Sequence, residues 1–150
     1  MSKFYLDLMA ACHCNSIKVI QRYVTNHYNR TLAPVGLTAT QLTFLLAIGS
    51  NPGLSMSELS SLLELDLSAS LRGAEALEKK GLVKIISGGQ RRRELFLEEK
   101  AVRKIDEAQV FLDIAESSLP KAIPEQSKKN LACLLEVINR KEEEIEKIAT

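Results

Sequence analysis

The chain has 150 residues, 45% apolar and 26% charged, with 20 Lys and Arg against 19 Asp and Glu for a formal net charge of +1. A chain of this length fits one domain, able to bury about 70% of its unfolded surface. Near-neutral charge excludes a generic polyanion binder. No apolar run approaches the roughly 20 residues that span a bilayer and no signal-peptide pattern opens the chain, so a cytoplasmic protein with no membrane partner is expected.

In chain order, a long helix is predicted from about Leu6 to Asn29. Ile17, Ile20, Val24 and Tyr28 line one face, and Leu6, Met9, Val19 and Tyr23 another. Thr38 and Gln41 form a capping box that opens a second helix, with Leu42, Leu45 and Leu46 inward. Ser55 and Glu58 repeat that device ahead of Leu59, Leu62 and Leu63, the i, i+3, i+4 stripe of a short amphipathic helix. Glu64-Leu65 makes a turn and Asp66 caps the next helix, which runs to Lys80 with Leu71, Ala74 and Leu77 on one face. Gly81 ends that helix, with Lys79 and Lys80 at the negative end of its dipole. Leu82 to Ile86 and Glu94 to Leu97 are β-rich runs around Ser87-Gly88-Gly89-Gln90, which predicts a hairpin tipped by Arg91-Arg92-Arg93. A helix over Glu99 to Ser118 carries Ala101, Ile105, Ala108, Leu112 and Ala115 at helical spacing. After Pro120 and Pro124, a last helix carries Leu131, Leu134, Leu135, Ile138, Ile145 and Ile148.

The middle of this order, helix-turn-helix and then a basic-tipped hairpin, is the outline of a winged helix. The fold class is α+β, mostly α, with a two-stranded wing and long terminal helices. Such a shape suits the major groove, with an arm on the neighbouring backbone. Basic residues concentrate there: Arg72, Lys79, Lys80, Lys84, Arg91, Arg92 and Arg93. The outward N-terminal positions of the second helix of the pair are Ser68, Ala69, Leu71 (in part) and Arg72. Arg72 suits bidentate contact with guanine, Ser68 a phosphate or base edge, and Ala69 a thymine methyl. The competing reading pairs Arg72 with Glu75 or Glu78 along the helix surface. Of the wing arginines at least one is expected on groove or phosphate, and strand alternation puts Arg91 and Arg93 on one side and Arg92 on the other. The long apolar stripes of the terminal helices exceed what the winged core needs for burial. A homodimer layer follows, with Leu131, Leu134, Leu135 and Ile138 at the interface.

Gly36-Leu37-Thr38-Ala39-Thr40-Gln41 with Leu42 to Ile48, Leu77-Glu78-Lys79-Lys80-Gly81-Leu82-Val83, and Arg91-Arg92-Arg93-Glu94-Leu95 stand in the order and spacing of one family. Over nearly its whole length the chain resembles the MarR (multiple antibiotic resistance regulator) winged-helix transcription factors. Gly89 departs from the pattern, standing where that family's wing usually has Asp two residues before its key Arg. The resemblance implies a single domain over residues 1–150, in which 37–98 bind DNA and 1–36 and 99–150 make an all-helical dimer interface. It implies a regulator, expected to be a repressor, on a pseudo-palindromic operator in double-stranded DNA, relieved by a small molecule or an oxidant. In that family the signal is often an aromatic or lipophilic ligand. Tyr5, Tyr23, Tyr28, Phe44 and Phe111 are candidates to line such a pocket, and equally candidates for the core.

Cys12-His13-Cys14 has three readings. Metal binding lacks ligands, because two residues' spacing on a helix points the thiols apart and the other histidine, His27, is more than three turns away. Redox sensing draws on the resemblance: some hydroperoxide sensors of that family keep a reactive cysteine early in the first helix. Cys14 falls near that position, with Lys18 one turn ahead, Tyr28 further along, and Cys133 as a disulfide partner across the dimer. The third reading makes all three cysteines small buried hydrophobes. No phosphate loop, carboxylate pair or nucleophile constellation stands at motif spacing, so neither an enzyme nor a cofactor is expected. The alternative function is a winged-helix protein-interaction module, for which apolar residues rather than arginines would be expected at the wing tip.

Overall fold

The computed structural model describes residues 12–87 and 93–119, and beyond them residues 123, 126, 127, 129–131 and 133. Helix α1 spans His13–Leu32 and runs through a short 3-10 turn, Ala33–Val35, toward α2 at Ala39–Ser50. A two-residue strand β1, Leu54–Ser55, leads into α3 at Met56–Leu62, and α4 follows at Leu67–Lys79. The hairpin is β2, Val83–Ser87, and β3, Arg93–Leu97; helix α5 covers Glu99–Ser118. No single described helix is long and apolar enough to cross a membrane. The expected two-stranded wing forms from β2 and β3, and β1 adds a short third strand to its sheet. The sheet has three antiparallel strands in the order β1-β3-β2, with Leu54 opposite Leu95 on one side of β3 and Ile85 opposite Leu95 on the other. Ser55 belongs to both β1 and the cap of α3, since a capping residue has extended backbone and can pair with a strand.

Both capping boxes form. Thr38 Oγ1 accepts from Gln41 N at 3.2 Å while Gln41 Oε1 accepts from Thr38 N at 3.2 Å; Glu58 Oε2 accepts from Ser55 N at 2.7 Å, and Ser55 Oγ accepts from Glu58 N at 3.3 Å. Asn29 at the end of α1 reaches the opening of α2, its Oδ1 accepting from Ala39 N at 2.8 Å. These contacts satisfy amides that have no partner inside their own helix.

The core gathers around α2, from which Leu42, Phe44, Leu45, Ala47 and Ile48 are all buried. Leu59 from α3, Ala74 and Leu77 from α4, Val83 from β2, Leu95 from β3, and Ala101 and Ala108 from α5 complete it. Two leucines expected inward lie outward instead: Leu46 is 44% exposed and Leu62 is 53% exposed. Helix α2 turns Leu42, Leu45 and Ile48 one way and Phe44 toward α4, which leaves Leu46 facing out. In the two turns of α3 the core takes Met56, Leu59 and Leu63.

Of the expected apolar faces, Leu6 and Met9 lie outside the described residues, and those that α1 carries from Ile17 onward are little covered. Only Leu32 is buried, and Ile17, Val19, Ile20 and Tyr23 are all exposed. At its C-terminal half, His27 Nε2 lies 3.1 Å from the carbonyl oxygen of Ala115 on α5; the carbonyl can only accept, so Nε2 carries the proton. Lys104 of α5 donates to the carbonyl of Val35. Residues up to Ala115 form one compact unit and those from Glu116 a second. In the second, residues 126, 127, 129–131 and 133 are helical. Leu131 is exposed, while Leu134, Leu135 and Ile138, expected at a dimer interface, lie outside the described residues.

Candidate nucleic-acid interface

Helix α4 is set by its two ends. At the start, Asp66 Oδ1 accepts from Ala69 N at 2.8 Å and from the Ser68 hydroxyl at 2.5 Å. These hydrogen bonds, the Ser68 bond foremost, hold the Asp66 carboxyl below its ordinary value. At the end, Gly81 N donates to Glu78 O at 2.8 Å and Leu82 N to Leu77 O at 3.0 Å, with Gly81 at φ +65°. This is a Schellman stop, where the left-handed residue is normally Gly. The turn between α3 and α4 uses the same pair of bonds, Glu64 N to Ser61 O and Leu65 N to Ser60 O, but its left-handed residue is Glu64 at φ +50°.

One face of α4 is pressed against the body. A methyl on Gly73 would come within 2.5 Å of the Phe44 ring, so glycine sets how closely α4 approaches α2. Ser70 is fully buried, and its hydroxyl has no hydrogen-bond partner among the described residues. Leu71 is half-buried and packs against the core. Ala69 is half-buried.

Ser68 and Arg72 are exposed on the opposite face. Arg72 Nη1 donates to Ser68 Oγ at 3.2 Å, not to a carboxylate of its own helix. The expected carboxylate partners are engaged elsewhere, and both with the wing. Glu75 Oε1 lies 3.9 Å from Arg93 Nη1 at the start of β3, and Glu78 Oε1 accepts from Ile85 N of β2 at 3.1 Å. Two carboxylates three residues apart on α4 thus reach both strands of the hairpin. Arg93 is a strut between wing and helix, opposite Ser87 in register. Arg91 and Arg92 lie outside the described residues, as does the Gly88-Gly89 turn. Of the other basic residues, Lys80 Nζ donates to Gln41 Oε1 at 3.1 Å, whereas Lys79 and Lys84 extend into solvent.

The remaining candidates separate. Cys12, Cys14 and Cys133 are all free and exposed within the chain, which overturns their reading as buried hydrophobes. Among the described residues no group of three or more His, Cys, Asp or Glu side chains gathers. Of the aromatics, Phe44 is core, Tyr28 and Phe111 pack against it, Tyr23 is exposed, and Tyr5 lies outside the described residues. An open cleft of about 520 Å³ lies elsewhere, lined by Asn51, Leu54, Ser57, Glu58, Ser61 and Leu62. Leu65, read in the sequence only as part of a turn, and Leu67, not singled out there, are 38% and 58% exposed around the start of α4. The only local signal was that Leu67 precedes Leu71 by one helical turn.

A helix tied by two carboxylates to a β-wing, on a body built around α2, is the arrangement over which a known family matches: the model described as MarR family covers residues 35–93. In that segment the chain is similar to the MarR family. The matched stretch runs from the 3-10 turn to the first residue of β3 and so contains α2, α3, α4 and β2. Solved MarR-type structures extend the likeness beyond it. MosR of M. tuberculosis, in complex with DNA, is similar at 23% identity and TM-score 0.74, covering 86% of this chain and 97% of its own. The transcriptional repressor CouR bound to a 23-mer DNA duplex is similar at 23% and 0.74, covering 87% and 94%. CouR comes from Rhodococcus jostii RHA1 and is also known bound to p-coumaroyl-CoA. A mutant MarR of E. coli complexed with operator DNA gives 22% and 0.73, covering 81% and 89%. No curated protein matches the sequence. At these identities the likeness establishes the winged-helix fold.

Proposed function

We propose that this protein is a DNA-binding transcriptional regulator, a homodimeric repressor that grips a pseudo-palindromic operator and lets go on binding a small molecule or on oxidation. The observation that carries this reading is the outward face of α4. Its first turns present Ser68 and Arg72 to solvent on a helix whose other face is locked to the core and whose carboxylates are tied to the wing. A cation held on a rigid helix is what bidentate recognition of guanine uses. The likeness of this segment to the MarR family and the DNA held by similar structures support it. In this reading residues 37–98 bind DNA, and residues 1–36 and 99–150 supply the dimer layer. The uncovered apolar residues of α1 and of α5, where Val102, Val110 and Ile114 are also exposed, favour a second copy as their cover. Two-fold symmetry then dictates two half-sites. Release by a ligand draws support from CouR, known with DNA and with p-coumaroyl-CoA; release by an oxidant draws support from the exposed Cys14.

The test is selection of duplexes from a random pool by the full-length protein, followed by affinity measurement with Arg72→Ala. The wild type should retain a two-fold-related sequence. The variant should lose about 1–3 kcal/mol on it while its binding to unrelated DNA stays nearly unchanged. Retention of no duplex at low salt would overturn the reading.

A further inference from the structure

The apolar stripe of α4 continues past its support. Leu77 and Ala74 are buried and Leu71 is half-buried, but Leu67, one turn before Leu71 and the first residue of the helix, is 58% exposed. Leu65, two residues earlier, is 38% exposed. The polar groups around Leu67 are joined to one another: Asp66 accepts from Ser68 and from Ala69 N, and Ser68 accepts from Arg72. The leading tip of the helix therefore shows DNA one guanidinium and a leucine, with a carboxylate between Leu65 and Leu67. A carboxylate beside an apolar side chain opposes a seat on phosphates. On the floor of the major groove the apolar feature is the C5-methyl group of thymine.

We propose that Leu67 is a specificity-determining residue, reading the C5-methyl of one thymine in each half-site, with Ser68 acting as a positioning residue for Arg72 rather than as a base contact. This rests on the DNA-binding reading of α4 and deepens it. Leu67 and Arg72 are five residues apart, about 7.5 Å along the helix axis at 1.5 Å per residue. At 3.6 residues per turn they also point about 140° apart around that axis, so the thymine and the guanine read by Arg72 belong to different base pairs.

The experiment uses the full-length protein and the duplex selected by the wild type, with each thymidine replaced in turn by deoxyuridine, which removes only the methyl group. The wild type should lose affinity about fourfold at one symmetry-related thymine, the value of one buried methyl at roughly 0.8 kcal/mol. Leu67→Ala, whose side chain is not part of the core, should bind the thymine and uracil duplexes equally and keep the wild-type dependence on salt. Leu67→Met should restore discrimination between them. Ser68→Ala should relax selectivity at the guanine read by Arg72 and not at the thymine. A selected duplex on which wild type and Leu67→Ala respond identically to every replacement would overturn the role of Leu67 and leave the DNA-binding reading standing. Failure to select any duplex would overturn both.

Discussion

Ser70 and Asp66 sit four residues apart on one helix and show opposite ways of handling a polar side chain. Ser70 is fully buried with no partner for its hydroxyl among the described residues. An unsatisfied buried hydroxyl carries its desolvation cost with no return, so Ser70→Ala should leave the protein as stable or raise its stability by about 1 kcal/mol. The midpoint of urea unfolding measures this, and a clear loss of stability would show that the hydroxyl has a partner. Asp66 is exposed and fully engaged as a cap, with its carboxyl held low by Ser68, Ala69 and, less strongly, the Arg72 charge. A carboxyl lowered in the folded state contributes stability at neutral pH that is lost as pH falls through its folded value. The stability difference between wild type and Asp66→Asn, which keeps a capping oxygen but not the charge, should therefore shrink in the acid range. A difference that stays constant down to the acid limit would assign the cap no electrostatic part.

At the scale of elements, the wing and α4 behave as one piece because Glu75 and Glu78 each hold a different strand. The Glu75–Arg93 pair is about half exposed, 44% and 51% for the two side chains, and is worth about 0–1 kcal/mol in stability. Its role is orientation. Arg93→Gln should lower affinity for a selected duplex while leaving the dependence of binding on salt unchanged, since no phosphate contact is lost. Arg91→Ala combined with Arg92→Ala should instead flatten that dependence. Identical salt slopes for the two variants would remove this division of labour. The sequence named all three arginines together because alternation along a strand gives only sides. That Arg93 faces Glu75 depends on the crossing of β3 and α4, which no local pattern encodes.

For the whole molecule, the proposed dimer sets a second copy of the chain on the uncovered face of α1. Ile20 is 53% exposed and Ile17 65% exposed, so a charge placed there does not enter the core of the single chain. Ile20→Glu should remain folded by circular dichroism yet sediment as a monomer, with selected-duplex binding falling because each half-site alone makes too few contacts. A variant that remains a dimer would move the interface off α1. The stripes that marked this helix in the sequence were correctly read as apolar faces, but periodicity does not say whether a face is covered by its own chain or by another.

The sequence by itself determined the features whose partners lie within one or two turns. The capping boxes at Thr38 and Ser55, the Asp66 cap, the Gly81 stop and the hairpin strands all rest on interactions spanning three to five residues or on strand periodicity. Tertiary structure decided what depends on distant neighbours. Leu54 joins Leu95 as a third strand, Phe44 requires glycine at position 73, and Leu46 and Leu62 turn outward. Glu75 and Glu78 bind the wing instead of Arg72, and Leu67 emerges where the core ends. A helical period fixes which residues share a face; only the packing of other elements fixes where that face stops being covered.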